Sequence, residues 1–310
     1  MNVIFLFPGQ GSQHPGMGRD LYERYDGVRA LFEEASEVCG RDMKALLFDG
    51  SDDDLKATEN AQPAIVLASL AAREALAIEG LASSGAAGHS LGEYSALVDA
   101  GVLSAADALR AVKARGEFMA AAGAVITAEK GEIGMAAVVG IGPEAVHAAI
   151  DGLEDVWSAN ENGPAQVAIG GTKAGMDGAA EALKAAGARR IIPLKVSCPF
   201  HTPLMAGPAE SMKSVLDAIE FKDPVKSVWS NVLAAPVKSG DEARNLLVEQ
   251  VTHPVRWVDL MGSIASSGPD ALYEVGPGKV LTGLWAKSGL NGSCVPAGNV
   301  ENIESIKETM

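Results

Sequence analysis

The sequence is short of cysteine, short of positive charge and without a long apolar run. Its three cysteines, Cys39, Cys198 and Cys294, are odd in number and widely spaced, which leaves no disulfide framework. No CxxC pair, HxxxH or clustered His/carboxylate set occurs, so no metal is expected, and free thiols fit a reducing, cytoplasmic setting. Lys and Arg number 25 against 40 Asp and Glu, a net charge of −15 that repels phosphate backbones and argues against a nucleic-acid partner. No uninterrupted stretch reaches the roughly 18 apolar residues of a membrane span. "MNVIFLFPGQ" is apolar, but no basic region precedes it and it stops at Pro8-Gly9. It reads as a buried first strand rather than a signal peptide, and no membrane partner is expected. Two nucleotide signatures are missing as well. GxxxxGK[ST] occurs nowhere, and in "GQGSQHPG" His14 stands where GxGxxG needs its third glycine.

What is present is ordinary globular composition, 47% hydrophobic and 21% charged, in a chain of 310 residues. That length can bury a large core in about two domains. A polar glycine loop follows the first strand, and helical patterns cover about 18–39 and 62–79. The second pattern has Pro63 in its first turn and Gly80 at a C-terminal cap. "LASSGAAG" is a poor strand by propensity; as a strand, its small residues would have to serve close packing. "LGEYSALVDAG" reads as a short helix closed by Gly101, and the next helix starts at Ser104 with Asp107 three residues on. Residues 134–197 then read as strand, helix, two strands around an Asn-Gly-Pro turn, helix and strand. That order, βαββαβ, is the ferredoxin-like split βαβ unit. The expected architecture is α/β: an α/β-hydrolase-like core with a parallel sheet, residues 1–125 and 198–310, and an inserted ferredoxin-like subdomain, residues 126–197. Such an insertion makes a cleft at the junction.

Gly88-His89-Ser90-Leu91-Gly92 has the spacing of a nucleophile elbow. With 35 glycines in the chain such a match arises easily by chance, so its partners must decide. A serine nucleophile needs a base and donors for the oxyanion. Among the five histidines, His201 stands out in "SCPFHTPLM", where the chain re-enters the main domain and Pro199 and Pro203 stiffen it. His89 precedes the serine and should point elsewhere; His147 lies on the small domain's helix and His14 in the first glycine loop. Cys198 reads as a packed thiol, since nothing near it in sequence would activate a thiolate. On the helix that starts at Ser104, Ala105, Leu109, Val112, Gly116 and Met119 share a face, Arg110 points away, and Arg115 lies at that face's margin. A cation there needs an anion or a hydrogen-bonding reason; the alternative is a surface arginine laying its stem along the protein. Lys184, Arg189, Arg190 and Lys195 fall within twelve residues, either as solvated helix-end charge or as a small cationic dock.

"FPGQGSQ", "GHSLGEYSAL", "RGEFM", "NENGPAQVAIGG", "FHTPLM", "SNV", "QVTHPVRW" and "EVGPGKVLTGL" follow one another from Phe7 to about Leu284. Together they resemble the malonyl-CoA:acyl carrier protein transacylases of fatty-acid synthesis and the acyltransferase domains of polyketide synthases. The resemblance implies that Ser90 accepts the acyl group and that His201 is its base, oriented by a backbone carbonyl near Gln250. It implies an oxyanion hole from the Gln10 and Leu91 amides, the second being what elbow geometry itself predicts. Arg115 would clamp the malonyl carboxylate through two hydrogen bonds, with Phe200 and Met119 setting specificity. The partners implied are malonyl-CoA and acyl carrier protein, with no cofactor and a monomeric enzyme; the dock for the acidic carrier would be Lys184, Arg189, Arg190 and Lys195. The nearest rival is a stand-alone acyltransferase of polyketide synthesis. A thioesterase or esterase is a weaker one, having no use for a carboxylate clamp. Two departures stand out: residues 120–133 are a few longer than the family's usual segment, and Glu161 occupies a position the family often gives to an aromatic or small residue.

Overall fold

The computed structural model describes residues 1–309. Its strands are β1 (Val3–Phe7), β2 (Gly85–Gly88), β3 (Ile133–Val139), β4 (Val156–Gly163), β5 (Gln166–Thr172), β6 (Arg190–Pro193), β7 (Ser227–Trp229), β8 (Ala271–Glu274) and β9 (Cys294–Pro296). Five form a sheet in the order β7-β2-β1-β8-β9, every pair parallel. A parallel sheet is covered on both faces, which is why "VIFLF" in β1 is apolar at each position and buried throughout. Two apolar cores flank it, one holding Phe5 and Phe7, the other Ile4 and Leu6.

β2, "GAAG", is a strand in spite of its propensity, and packing explains its composition. A Cβ on Gly85 would lie 2.9 Å from both Ile4 and Trp229, and one on Gly88 would overlap the Gly92 backbone. A Cβ on Gly92 would in turn overlap the Phe7 carbonyl. The chain therefore leaves β2, turns through His89–Leu91 and enters the helix Gly92–Asp99 in a space that side chains would fill. Glu274 closes the neighbouring β8 by accepting the Leu281 and Thr282 amides at 2.9 and 2.7 Å, which caps the helix Val280–Lys287 with a buried carboxylate.

Several helix boundaries differ from the sequence expectation. The 18–39 pattern is two helices, Arg19–Arg24 and Asp26–Cys39, broken where Tyr25 is extended. The next long helix runs Thr58–Ile78, so Pro63 lies inside it rather than in its first turn. That early start buries Thr58 and Gln62 beneath the cleft described below, at the cost of one backbone hydrogen bond. By length and mean hydropathy (1.3) this helix reaches the range of a membrane span, contrary to the reading of short apolar runs; 78% of that window is buried inside the protein. The helix capped by Ser104 runs Ala105–Lys130 and absorbs most of the long 120–133 segment. The boundary placed at 126 thus falls within a helix, and the second sheet begins at Ile133.

That sheet has the order β4-β5-β3-β6, antiparallel throughout. With the helices Pro143–Ile150 and Lys173–Ala185 it makes the βαββαβ unit, around a core of its own that includes Val138, Val146, Ile169 and Leu183. β4 is irregular at Ser158/Asn160, and there it is stitched to the larger unit: Val255 donates to Ala159 O and accepts from Glu161 N–H. Glu161 itself is buried, and His147 Nε2 meets its carboxylate at 2.8 Å. The unusual carboxylate thus ties the small domain's first helix to the seam strand.

Backbone crowding at the elbow gives the fold a direct test. Gly88→Ala should lower stability by about 3 kcal/mol or more, since no rotamer relieves a Cβ–backbone overlap. Gly283, with nothing near its would-be Cβ inside a helix, should gain about 0.5–1 kcal/mol on change to Ala. Thermal melting of the two variants reads both.

Candidate active site

A cleft of about 330 Å³ opens between the two sheets, with Gln10, Ser90, Leu91, Arg115, Phe200 and His201 in its walls. Ser90 is at the elbow, at φ 51°, and His201 on the re-entry segment, at φ 60°. Both side chains thus project from left-handed backbone, a strained state for non-glycine residues. The elbow is held by Asn231: its Oδ1 accepts the Ser90 amide at 2.6 Å and its Nδ2 donates to Gly88 O at 2.6 Å.

Ser90 Oγ lies 2.6 Å from His201 Nε2, and His201 Nδ1 lies 2.7 Å from Gln250 O. A carbonyl can only accept, so Nδ1 carries the proton and Nε2 is left free to accept the serine proton. Burial, then the Arg115 charge and the His89 ring, push His201 down to about 3, against the pull of the Gln250 carbonyl. The imidazole is neutral in the resting site. The other histidines lie elsewhere. His89 Nε2 meets Asn162 Oδ1 at 2.8 Å with its ring against Trp257, His147 pairs with Glu161, and His14 and His253 are exposed.

Arg115 is 2% exposed, so the surface-arginine alternative fails. Its guanidinium donates to Gln62 Oε1 at 2.9 Å, to Gln250 Oε1 at 3.1 Å and, at 3.4 Å, towards Ser90 Oγ. Nε has no partner. Burial lowers its pKa from the ordinary arginine value, with Tyr94 and Glu93 opposing, but guanidinium stays charged far above neutrality. Among the described residues no carboxylate comes within 4 Å of it. A buried cation that faces a cleft and has only neutral partners, two carboxamides and the Ser90 hydroxyl, is suited to receive an anionic group.

The Gln10 and Leu91 amides find no acceptor among the described residues, and both border the cleft floor. Phe200 lines the cleft. Met119 does not: it is fully buried behind Gln62, whose Nε2 lies 3.4 Å from its Sδ, so any effect on the cleft passes through Gln62. Cys198 is buried, gives its thiol hydrogen to Met119 O at 3.0 Å and is pushed up by burial, as befits a packed thiol. The basic residues do not make one cluster. All four are exposed, but Lys195 lines the cleft mouth at one end of β6, while Arg189 and Arg190 sit at the other, beside Val139 and Gly140. At about 3.3 Å per strand residue the two ends are some 15 Å apart.

Three residues near the serine were not picked out by sequence reasoning. Gln62 is a lone polar residue in an apolar stretch, which was a readable signal. Asn231 had only its place in "SNV". Glu93, in the residue pattern after the elbow, is 2% exposed and accepts from Gln250 Nε2 at 2.7 Å and from Asn231 N–H at 3.2 Å. Burial pushes its carboxyl up to about 7, against the bonds from Gln250, Asn231 and Ser230 and the Arg115 charge.

Comparison with known proteins agrees with this geometry. The acyl transferase domain family matches residues 4–304. The malonyl CoA-acyl carrier protein transacylase of Bacillus subtilis (strain 168) is 41% identical over 312 residues, 99% of this chain and 97% of that protein. Its counterpart in Escherichia coli (strain K12) is 42% identical over 284 residues, 90% of each. Among solved structures, an acyl carrier protein S-malonyltransferase from Vibrio cholerae superposes with a TM-score of 0.93 at 38% identity, covering 99% of this chain and 100% of that one. A malonyl-transacylase solved in complex with its type II polyketide acyl-carrier protein matches as well, with TM-score 0.93 and 38% identity over 100% of both chains. The match reaches from the first strand to the last helix and takes in the elbow, the re-entry segment and the buried arginine alike: the chain belongs to the acyl transferase family, alongside the malonyl CoA-acyl carrier protein transacylases.

Proposed function

We propose that the protein moves the malonyl group of malonyl-CoA to the phosphopantetheine thiol of acyl carrier protein, through an ester on Ser90, in fatty-acid biosynthesis. The observation that carries this reading is Arg115, a buried cation without an anion whose guanidinium lies 3.4 Å from Ser90 Oγ. A donor with a free carboxylate two carbons from its thioester fits both groups at once. In the first half-reaction His201 Nε2 takes the Ser90 proton as Oγ attacks the thioester carbon. The developing oxyanion is met by the Gln10 and Leu91 amides, and the C–S bond breaks as imidazolium returns the proton to coenzyme A sulfur. In the second, the carrier thiol gives its proton to His201 and attacks the ester carbon, and the imidazolium returns the proton to Ser90 Oγ as the C–O bond breaks.

The same arginine couples specificity to the base. Its charge is the second cause, after burial, of the low His201 value. A malonyl carboxylate on Arg115 cancels part of that repulsion, so His201 becomes more basic when the correct donor is bound. An acetyl donor lacks this effect. Transfer of malonyl to a polyketide carrier is the second reading, favoured by the polyketide complex among the structural relatives. All groups of the site come from one chain, which fits a monomer, and three buried free thiols fit a cytoplasmic enzyme. No cofactor enters any step.

Incubation with malonyl-CoA followed by mass spectrometry should find a malonyl ester on Ser90, absent in Ser90→Ala. Arg115→Ala should lower kcat/KM for malonyl-CoA by about 100-fold or more, the equivalent of two charge-assisted hydrogen bonds of about 1.5 kcal/mol each, and leave acetyl-CoA much less affected. Unchanged selectivity would remove the clamp. For carrier docking, Lys195→Glu should raise KM for acyl carrier protein more than Arg189→Glu/Arg190→Glu, because Lys195 borders the cleft; the reverse order would place the dock at the far end of β6.

Acid titration tests the state of the base. The unfolded His201 takes a proton near 6.5, whereas the folded one does so near 3. Between those values the unfolded chain binds more protons, so stability falls as pH falls, by up to about 1.4 kcal/mol per pH unit from this group. Glu93, raised when folded, acts with the opposite sign but is common to both proteins in a comparison of wild type with His201→Gln. The variant should lose less stability than wild type from pH 6.5 to 4, measured by urea unfolding; parallel curves would refute the assignment.

A further inference from the structure

Glu93 is a buried acid that the transfer steps above do not use. It lies three residues after the nucleophile on the helix Gly92–Asp99, so its side chain turns under the elbow instead of into the cleft. Its Oε2 accepts two hydrogen bonds, from Gln250 Nε2 at 2.7 Å and from Asn231 N–H at 3.2 Å. Those two partners are the ones that hold the reacting groups. Gln250 supplies the carbonyl that orients His201, gives Nε2–H to Ser90 O at 3.0 Å and presents Oε1 to Arg115 at 3.1 Å. Asn231 grips the Ser90 amide and the Gly88 carbonyl on either side of the strained turn.

We propose that Glu93 is a positioning residue for acyl transfer: its Oε2 decides which end of the Gln250 carboxamide faces Arg115, and it anchors the Asn231 segment that pins the Ser90 amide. The inference rests on the acyl-transfer reading above.

Donor and acceptor counts leave one arrangement. With Glu93 in place, Gln250 has acceptors on its NH2 side (Glu93 and Ser90 O) and a donor on its oxygen side (Arg115). Turning the amide over would set oxygen against the Glu93 oxygen and NH2 against guanidinium, spoiling both contacts. Without Glu93, one of the two acceptors that hold this orientation is gone, and the amide can turn away from Arg115. Arg115 would then lose one of its two carboxamide partners, and with it the pose in which the guanidinium meets a donor carboxylate near Ser90. The arrangement also keeps the carboxyl group at one remove from Arg115. Glu93 sits behind Gln250 instead of touching the guanidinium, which leaves the arginine's cleft side open to the incoming carboxylate. A carboxylate in direct contact would compete with substrate for the same fork.

The acceptor, rather than the negative charge, is what the role requires. Gln at position 93 can put its Oε1 where Oε2 now stands and keep both bonds, with its NH2 towards Ser230. Leu has similar size and no acceptor, leaving the Gln250 and Asn231 donors buried and unpaired. Asp keeps the charge but draws the oxygen back by one methylene.

Wild type, E93Q, E93D and E93L should be compared for the rate and KM of Ser90 acylation by malonyl-CoA and by acetyl-CoA, with circular dichroism to establish folding. E93Q is expected to keep malonyl rate and malonyl-over-acetyl preference within about threefold of wild type. E93L is expected to lose about 10- to 100-fold in malonylation, with a marked fall in that preference. Should E93L not fold, E93D stands in its place with the same expectation. The proposal is overturned if E93L or E93D leaves the malonyl-over-acetyl preference unchanged, since loss of the Asn231 anchor alone would slow both donors alike. It is also overturned if folded E93Q loses the malonyl preference, which would make charge the requirement. Failure of the wild type to form any ester would instead refute the acyl-transfer reading, so the two failures are distinguishable.

Discussion

Arg115 is buried beside the nucleophile with its charge opposed by the oxygens of two carboxamides, and the rest of the site is arranged around that unfinished pairing. A carboxylate partner would have been the cheaper way to bury a guanidinium. Neutral partners keep it in place without satisfying it, so the site retains a demand for an anion close to Ser90. The long helix Ala105–Lys130 supplies the arginine, the helix Thr58–Ile78 supplies Gln62, and the end of the helix Gly240–Gln250 supplies Gln250. Three helices of the large unit are thus tied together at one cation. The early start of the second helix, with Pro63 inside it, follows from the need to bring Gln62 under that cation.

Strain at the two reacting residues needs the same kind of over-determination. Ser90 and His201 both sit at positive φ, where a side chain costs of order 1 kcal/mol or more. Each is locked from outside its own segment: Ser90 by Asn231 and the close-packed glycines, His201 by the Gln250 carbonyl. The elbow's glycines belong to this lock, because Gly88 and Gly92 allow β2, the helix start and Phe7 to approach more closely than any Cβ would allow. A site held this tightly does not have to reorganise when charge develops on the oxyanion.

Much of this was legible in the sequence, and the parts that were not share a cause. The elbow, the βαββαβ order, His201 at the junction and Arg115 at the edge of an apolar stripe are local patterns, readable from spacing of 2 or 3.6. Asn231 and Glu93 act by contacts between segments 138 residues apart, and no periodicity encodes which asparagine reaches an elbow. Helix ends failed for a related reason at Thr58, whose helix has no side-chain cap and starts where its packing requires, whereas the run to Lys130 stops at Gly131 in left-handed backbone. The four basic residues from Lys184 to Lys195 do not all reach the cleft: Lys195 borders it, while Arg190 pairs with Val139 at the other end of β6. Met119 shared a helical face with the core, correctly, and for that reason lies behind the cleft wall.

The low basicity of His201 then has a use. A histidine near 3 holds a proton poorly, which suits an imidazolium that must hand it to a departing thiolate, but it is a weak base for the first step. Burial, Arg115 and the His89 ring lower it, and Arg115 is the one whose charge a substrate carboxylate can meet. A carboxylate that reaches the arginine removes part of the penalty on imidazolium just as Ser90 begins to attack. A donor without a carboxylate gains no such help. In the proposed mechanism the interaction that selects the acyl group would therefore also raise the basicity of the group that activates the serine, and both effects would depend on keeping Arg115 free of a carboxylate from the protein itself.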